Sequence, residues 1–513
     1  MPRSYLSAPV PIAALATAPG EAALAMVRAS GAGSIELAAA CFSRPEALLS
    51  APGHSLVFGR LVHPRTGEAA DEVLASVFRA PRSFTGEDAV EFSCHGSPAA
   101  VRAVLEALEA AGFAPALPGE FSFRAFANGK SDLVRSEALL ELVRARSEGA
   151  REGALLRLEG GLSRRLEAAR AELLGLLAEV ELRLDYAEED GAPAGGPARP
   201  ALEALRETLS ALAASYRAGR LYRDGARLVL AGGANAGKSS LFNLLLREER
   251  SIVSPEAGTT RDYVEAGVEL AGFPLTLLDT AGLREAGGAV EAEGVARSLR
   301  LLSEAELVLY VVDGTLGDSP SAEDEAFLAR RPDAVRAWNK IDAPGSRPVP
   351  AGFVGVSAST GEGLPSLLSA IESRLAALAG TAGAALSAGE PSSGVAPSAG
   401  ARAEPGEPSS GAAPPAGATS AASSAEPSAA APGAPAAPSR AELRVASERQ
   451  KLLLDRAVES LDAAFALQAL GDEGLDALAL ELKEAAEALG EITGEIAAPE
   501  ILEAIFSRFC VGK

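Results

Sequence analysis

The stretch RLVLAGGANAGKSSLFNLLL, residues 227–246, constrains the chain more than any other. An apolar strand, Arg227–Ala231, runs into Gly232-x-x-x-x-Gly237-Lys238-Ser239 and then into a helix. The glycines let backbone N–H groups turn inward on phosphate oxygens, and the helix N-terminus adds favourable partial charge there. In this pattern Lys238 reaches the β- and γ-phosphates and the Ser239 hydroxyl ligates Mg²⁺. A strand, loop and helix of this kind commit the surrounding residues to an α/β nucleotide-binding domain.

Three further pieces follow in order. LTLLDTAG closes a buried strand with Asp279 and Gly282, suited to a carboxylate behind Mg²⁺ and a backbone contact to the γ-phosphate. RAWNKID closes another strand with Asn339, Lys340 and Asp342. A carboxylate at Asp342 can accept from both the ring N–H and the exocyclic amine of guanine, a donor pair that adenine lacks. VGVSAST supplies Ser357 and Ala358, whose backbone can reach the guanine carbonyl oxygen. Each piece is weak alone, and all four in register predict GTP. Many small GTPases orient the attacking water with Gln directly after Asp-x-x-Gly. Here that position is Leu283, so the water needs another partner. Glu291, in the Gly-rich REAGGAVEAEG, is one candidate; it reads equally as a solvated charge at a helix start. Spacing does not choose between these.

Around this domain the chain is heterogeneous. Residues 1–125 alternate short apolar runs with turns (SLVFGRLVHP, EVLASVFRAP, DAVEFSCHGS), and the helix PAAVRAVLEALEAAG follows, which predicts a mixed α/β unit. In AVEFSC, alternation puts Val90, Phe92 and Cys94 on one face and Glu91 and Ser93 on the other. Within residues 131–222, Leu162, Leu166, Ala169, Leu173, Leu176 and Val180 make a helical seam. Residues 441–508 are again helical by pattern. Neither helical block covers its own apolar stripe, so the economical solution is one bundle with residues 223–375 inserted; the rival is two separate hairpins. Of residues 381–440, 50 of 60 are Ala, Gly, Pro or Ser, without aromatics. Such a segment cannot offset its ordering entropy by burial, so 376–440 is expected to be a disordered linker.

Net charge is −22, which argues against polyanion binding by the whole surface and leaves room only for a local basic groove. Three cysteines, Cys41, Cys94 and Cys510, are too few for a disulfide framework and lack metal-ligand spacing, so a reducing cytoplasm is the expected setting. No stretch approaches eighteen uninterrupted apolar residues, and prolines interrupt the first twenty; neither a membrane span nor a targeting segment is expected.

The motifs GANAGKSS, EAGTTRDYVE, DTAGLREAGGAVEAEG, LGEITGEI and the closing FCVGK together resemble the MnmE (TrmE) family of tRNA-modification GTPases. The resemblance covers nearly the whole chain apart from 376–440, and SFTGEDAVEFSCHG and PGEFSFRAFANGKSDL match its folate-binding domain. It implies an N-terminal α/β folate-binding and dimerisation domain at 1–130 and a discontinuous helical domain at 131–222 and 441–513. Between them it implies a Ras-like G domain at 223–375. It further implies that, with a flavoprotein partner (MnmG) that carries the FAD, the chain adds a carboxymethylaminomethyl or aminomethyl group to carbon 5 of the wobble uridine. It also implies a homodimer within a heterotetramer that acts on tRNA.

The resemblance places folate contacts, to a 5-formyl- or methylene-tetrahydrofolate, on Arg28, Glu91, Lys130 and Lys513. It implies GTP hydrolysis driven by K⁺ between two dimerised G domains. Asn235, Ser254, Glu256 (through its carbonyl) and Thr259 hold K⁺, and Ser239 and Thr260 hold Mg²⁺. The GTP site comprises Asn235, Ala236, Gly237, Lys238, Ser239 and Ser240, then Ser254, Pro255, Glu256, Ala257, Gly258, Thr259 and Thr260. Asp279, Thr280, Ala281 and Gly282 come next, followed by Asn339, Lys340, Ile341, Asp342, Ser357, Ala358 and Ser359. Glu291 matches the family's water-orienting Glu, and K⁺ stands in for an arginine finger by neutralising phosphate charge. Lys238, Glu291 and Cys510 are the expected catalytic groups. Cys510 has a plausible local cation in Lys513; the rival is a cysteine that merely packs at the bundle end, and Cys41 and Cys94 read as buried fillers. The loop GGANAGKS departs from the family's usual Arg-Pro after the first Gly, Ser254 stands where other members often carry Thr, and Pro255 stiffens the K⁺ loop.

Two other readings compete with the modification enzyme. One is a GTP-switched binding factor, such as a ribosome-assembly GTPase, which needs neither the folate module nor the FCVGK tail. The other is a scaffold in which GTP only sets dimer geometry.

Overall fold

The structure is a computed structural model. It describes residues 4–5, 9–185, 199–248, 250–252, 264–279, 301–302, 305–380 and 443–512, with the backbone alone at 248, 250–252, 264 and 472. The linker expected at 376–440 therefore lies outside the described residues from 381 onward.

Strands β1 (Ile12–Leu15), β2 (Leu24–Ser30), β3 (Ser55–Val62), β4 (Ala69–Phe78), β5 (Ala89–His95) and β6 (Ala114–Pro115) form one sheet in the order β3-β4-β5-β2-β1-β6. Pairing is antiparallel throughout except between β1 and β6. Helices α1 (Ser34–Ala40), α2 (Pro45–Ser50), α3 (Pro98–Ala111) and α4 (Glu120–Ala127) complete the unit. The alternation in β5 is realised: Val90, Phe92 and Cys94 are buried in the sheet core, while Glu91 and Ser93 face the other way and keep partial exposure. The Ser97 hydroxyl caps α3 by accepting from the N–H of Ala100. Val104, Ala107 and Leu108, spaced by three and one, bury its inner face.

Next come α5 (Leu133–Arg144), α6 (Glu148–Leu158), α7 (Gly161–Asp185), α8 (Arg199–Ala214) and α9 (Tyr216–Asp224). A second sheet follows, built from β7 (Ala226–Gly232), β8 (Arg250–Ile252), β9 (Val264–Leu270), β10 (Phe273–Asp279), β11 (Leu307–Asp313), β12 (Val335–Asn339) and β13 (Val354–Val356). Its order is β13-β12-β11-β7-β10-β9-β8. The five strands from β13 to β10 run parallel, and β9 reverses against both neighbours. Helices α10 (Lys238–Glu248), α11 (Ala322–Arg330) and α12 (Leu364–Ala379) pack on it. The chain closes with α13 (Glu448–Gln468), α14 (Leu475–Thr493) and α15 (Pro499–Phe506). No helix among the described residues is long and apolar enough to cross a membrane.

The two helical blocks share one core. Leu166, Leu173 and Val180 of α7 pack in the same buried cluster as Leu205 and Leu209 of α8, Leu454 and Leu461 of α13, and Leu482 and Leu489 of α14. The stripe that neither block covers alone is thus covered by the other. One detail of the expected boundaries changes. Helix α12 continues to Ala379, because Leu375 and Ala379 are buried in the core of the second sheet, so residues 376–379 belong to that helix and not to the linker.

Candidate functional site

The parallel strands β7, β10, β11 and β12 end at one edge of their sheet, where α/β folds of this kind bind ligands. The loop after β7 carries the phosphate-binding pattern. Its backbone is left-handed at Asn235 (φ 59°) and at Gly237 (φ 93°), a conformation that curls successive N–H groups toward one side. A Cβ on Gly237 would lie 2.1 Å from Nδ2 of Asn339, so only glycine fits. Lys238 is buried, and its ammonium donates to the carbonyls of Gly232 (3.2 Å) and Gly233 (2.7 Å). It is held over the loop it serves. Ser239 and Ser240 are exposed at the start of α10. Asp279 is buried at the end of β10, paired in register with Leu230 of β7. A carboxylate thus sits beside the strand that feeds the loop.

The loop after β7 and the loop after β13 are tied together through Asn339. Its amide donates to the carbonyl of Ala236 at 2.7 Å, and its Oδ1 accepts from the N–H of Ala358 at 3.1 Å. The N–H of Ser357 donates to the Glu362 carbonyl at 2.8 Å. The two backbone donors expected at the guanine oxygen are therefore both engaged within the protein here. Asp342 is exposed and accepts from the Ser359 hydroxyl. The Ser359 and then the Ser357 hydroxyls hold its carboxyl below the usual carboxylate range. Ile341 is half-buried beside it.

Sequence reading missed Asp313, at the end of β11. It accepts from Lys340 Nζ at 2.6 Å and, through its other oxygen, from the hydroxyl (2.7 Å) and N–H (3.0 Å) of Thr315. Burial alone would push this carboxyl up; the bonds from Lys340 and Thr315 outweigh it and hold the group below its ordinary value. Lys340 has a left-handed backbone (φ 69°), uncommon for a side chain of this size, and the ion pair fixes the lysine stem in place. The available signal was an acid closing a strand whose seven residues are all buried.

Several expected GTP-site residues lie outside the described residues: Ser254, Pro255, Glu256, Ala257, Gly258, Thr259, Thr260, Thr280, Ala281, Gly282 and the catalytic candidate Glu291. Of the K⁺ set only Asn235 is described, exposed at the loop.

A second constellation lies on the first sheet. Arg28 of β2 and Glu91 of β5 are register partners, and Arg28 Nε donates to Glu91 Oε1 at 2.7 Å. The guanidinium also lies over the rings of Phe84 (5.2 Å) and Phe121 (5.7 Å). Its Nη1 donates to the carbonyl of Gly512 at 3.4 Å, which brings the last described residue of the chain to the N-terminal sheet. The FCVGK segment is anchored there. Phe509 is buried among Phe123, Leu133 and Phe506, and the Cys510 carbonyl accepts from Gly119 N–H at 3.2 Å. The Cys510 side chain is exposed, in contrast to Cys41 and Cys94. Burial raises the Cys41 thiol to about 11 and pushes Cys94 up as well. Lys130 donates to the Pro81 carbonyl at 3.1 Å. Lys513 lies outside the described residues.

Comparison with known proteins agrees along the chain. The family described as GTP-binding protein TrmE N-terminus matches residues 11–130, and that described as MnmE helical domain matches 133–390 and 430–510. The tRNA modification GTPase MnmE of one Thermus thermophilus strain is 41% identical over 503 residues, covering 98% of this chain and 99% of that protein. The protein of the same name from Treponema denticola is 36% identical over 518 residues, covering 98% of each. The solved G domain of the T. maritima FeoB iron transporter is 26% identical over 29% of this chain and 99% of its own, with a TM-score of 0.21.

Proposed function

The chain belongs to the MnmE family of tRNA modification GTPases, and on that premise we propose that it is a K⁺-dependent GTPase that works with a flavoprotein partner on carbon 5 of the wobble uridine. The observation that carries this reading is Arg28, which joins Glu91 to the Gly512 carbonyl and so ties the FCVGK segment to the N-terminal sheet. A factor that only switched with GTP would have no use for that link.

In the proposed GTP site, Gly237, Lys238 and the N-terminus of α10 take the phosphates and Asp342 takes guanine. Ser239 and Thr260 would hold Mg²⁺, with Asp279 behind them. The donor set suits a hard cation: a hydroxyl at the start of a helix with a buried carboxylate on the adjacent strand. Asn235, Ser254, Glu256 and Thr259 would hold K⁺, and Asn235, exposed at the loop, brings an amide oxygen of the kind that role needs. Bound there, the two cations would supply positive charge to offset the negative charge on the phosphates. Glu291 would orient the water that Leu283 cannot. For guanine recognition, the Ala358 N–H would leave Asn339 as the base arrives.

A tetrahydrofolate, 5-formyl or methylene, supplies a one-carbon unit when bound. Arg28, Glu91, Lys130 and Lys513 are its proposed contacts. Glu91 offers a partly exposed carboxylate to a pterin's adjacent donors, and exposed Phe84 beside Arg28 offers a ring face. Cys510, exposed on the anchored segment, would take part in the modification itself. The homodimer is proposed to form through the N-terminal sheet, where Leu56, Phe58 and Leu74 lie exposed on adjacent strands, with Phe58 and Leu74 register partners. The setting is the cytoplasm.

The test is nucleoside analysis of tRNA from a deletion strain complemented with this chain. The wild type should restore the modified wobble uridine, and Cys510→Ser should not. Full modification with Cys510→Ser would favour a scaffold, and no modification with the wild type would remove the reading altogether.

A further inference from the structure

The chain is strongly acidic, yet a cleft of about 510 Å³ is lined by six arginines against three carboxylates. It lies where α5, α6 and α9 meet the segments 444–447 and 505–509. All three carboxylates are already taken. Glu141 pairs with Arg157 and lies 3.9 Å from Arg223, Asp224 pairs with Arg223 at 2.7 Å, and Glu137 pairs with Arg449 at 3.0 Å. Among the described residues no carboxylate reaches Arg144, Arg146 or Arg508. All three are exposed, and Arg144 donates to the Arg508 carbonyl at 2.7 Å. The cleft thus keeps a surplus of positive charge open to solvent on a protein whose overall charge repels polyanions.

We propose that this arginine-lined cleft seats backbone phosphates of the substrate tRNA. The proposal rests on the tRNA-modifying reading above. Two features favour phosphate over base recognition. First, the aromatic rings at the cleft, Tyr222 and Phe509, are buried, and Tyr222 is stacked on Phe273 at 4.0 Å; neither offers a face for a nucleobase. Second, guanidinium forks match phosphate oxygens bidentately. Such contacts fix register without reading sequence. Placement supports the same occupant: Arg508 and Phe509 line the cleft and lead directly into Cys510, so a strand held here lies along the segment that bears the exposed thiol.

The test is binding of an unmodified tRNA transcript to the full chain across a salt series. The comparison is with the triple variant Arg144→Ala, Arg146→Ala, Arg508→Ala and with the same three positions changed to Lys. The Ala variant should bind at least about tenfold more weakly, and its slope of log affinity against log salt should fall by roughly one per lost phosphate contact. The Lys variant should keep most of the affinity, and GTP turnover should be unchanged in both. Wild-type affinity and slope in the Ala variant would overturn the cleft, as would competition by GMP as effective as tRNA at equal phosphate concentration. A wild-type chain that bound no tRNA would overturn it too. If that chain still restored modified uridine in cells, the cleft would fall while the modification reading stood.

Discussion

Asn339 donates its side-chain amide to the carbonyl of Ala236 at 2.7 Å, across 103 residues of sequence. One buried side chain thereby fastens the loop after β7 to the loops proposed to recognise guanine. Asn339→Ala would strand the carbonyl of buried Ala236, and an unmade bond to a buried group costs about 1–3 kcal/mol. Guanine-nucleotide affinity should fall at least about tenfold, and the melting temperature should drop. Titration of a fluorescent GDP with a parallel thermal melt checks both. Unchanged affinity would mean the two loops hold their places without the tie.

The Asp313–Lys340 pair predicts an acid-dependent term. Asp313 is held below the ordinary carboxylate range, about 3.9. A depressed carboxyl adds stability that is fully present above the ordinary value and is lost as pH falls through the folded one. Asp313→Asn should therefore melt below the wild type near neutral pH, and the gap should close as pH drops below about 4. Melts across that range decide it; a gap that stayed constant into acid would refute the pairing.

At the other site, Gly512 passes close to the first strand. A Cβ there would lie 2.3 Å from the Leu15 carbonyl oxygen and 2.4 Å from Ala16 Cα, backbone atoms that cannot move aside like a side-chain tip. Gly512→Ala should displace the segment and break the contact to Arg28. Modified wobble uridine should be lost in cells while GTP turnover of the purified protein persists. Loss of both activities together would point to a wider folding defect, and retention of both would contradict the role of the link.

For hydrolysis, the cation model predicts that replacing K⁺ by Na⁺ cuts GTP turnover strongly. Glu291→Ala should abolish hydrolysis and keep GTP binding. Equal turnover in the two salts would refute the monovalent cation, and a Glu291→Ala protein unable to bind nucleotide would assign that residue a folding role.

Local chemistry made much of this protein legible in its sequence. A phosphate loop is a short contiguous pattern because glycine conformations, a lysine and a helix start must be adjacent to work. Strand alternation at Val90, Phe92 and Cys94 and the seam from Leu162 to Val180 follow from the two-residue and 3.6-residue periods of the backbone. Asp313 escaped because an acid at a strand end gains meaning only from what neighbours it, and Lys340 lies on the adjacent strand's exit. Likewise, Arg28 and Gly512, 484 residues apart, are joined by the packing of Phe506 and Phe509 against Phe123 and Leu133. The arginine cleft draws on four separate stretches of chain, so the overall negative charge concealed it. Periodicity and motif spacing are properties of neighbours along the chain, and those the sequence determines by itself. Which distant side chains pair, and which charges are left open to solvent, depends on how buried faces find one another, and only the tertiary structure decides that.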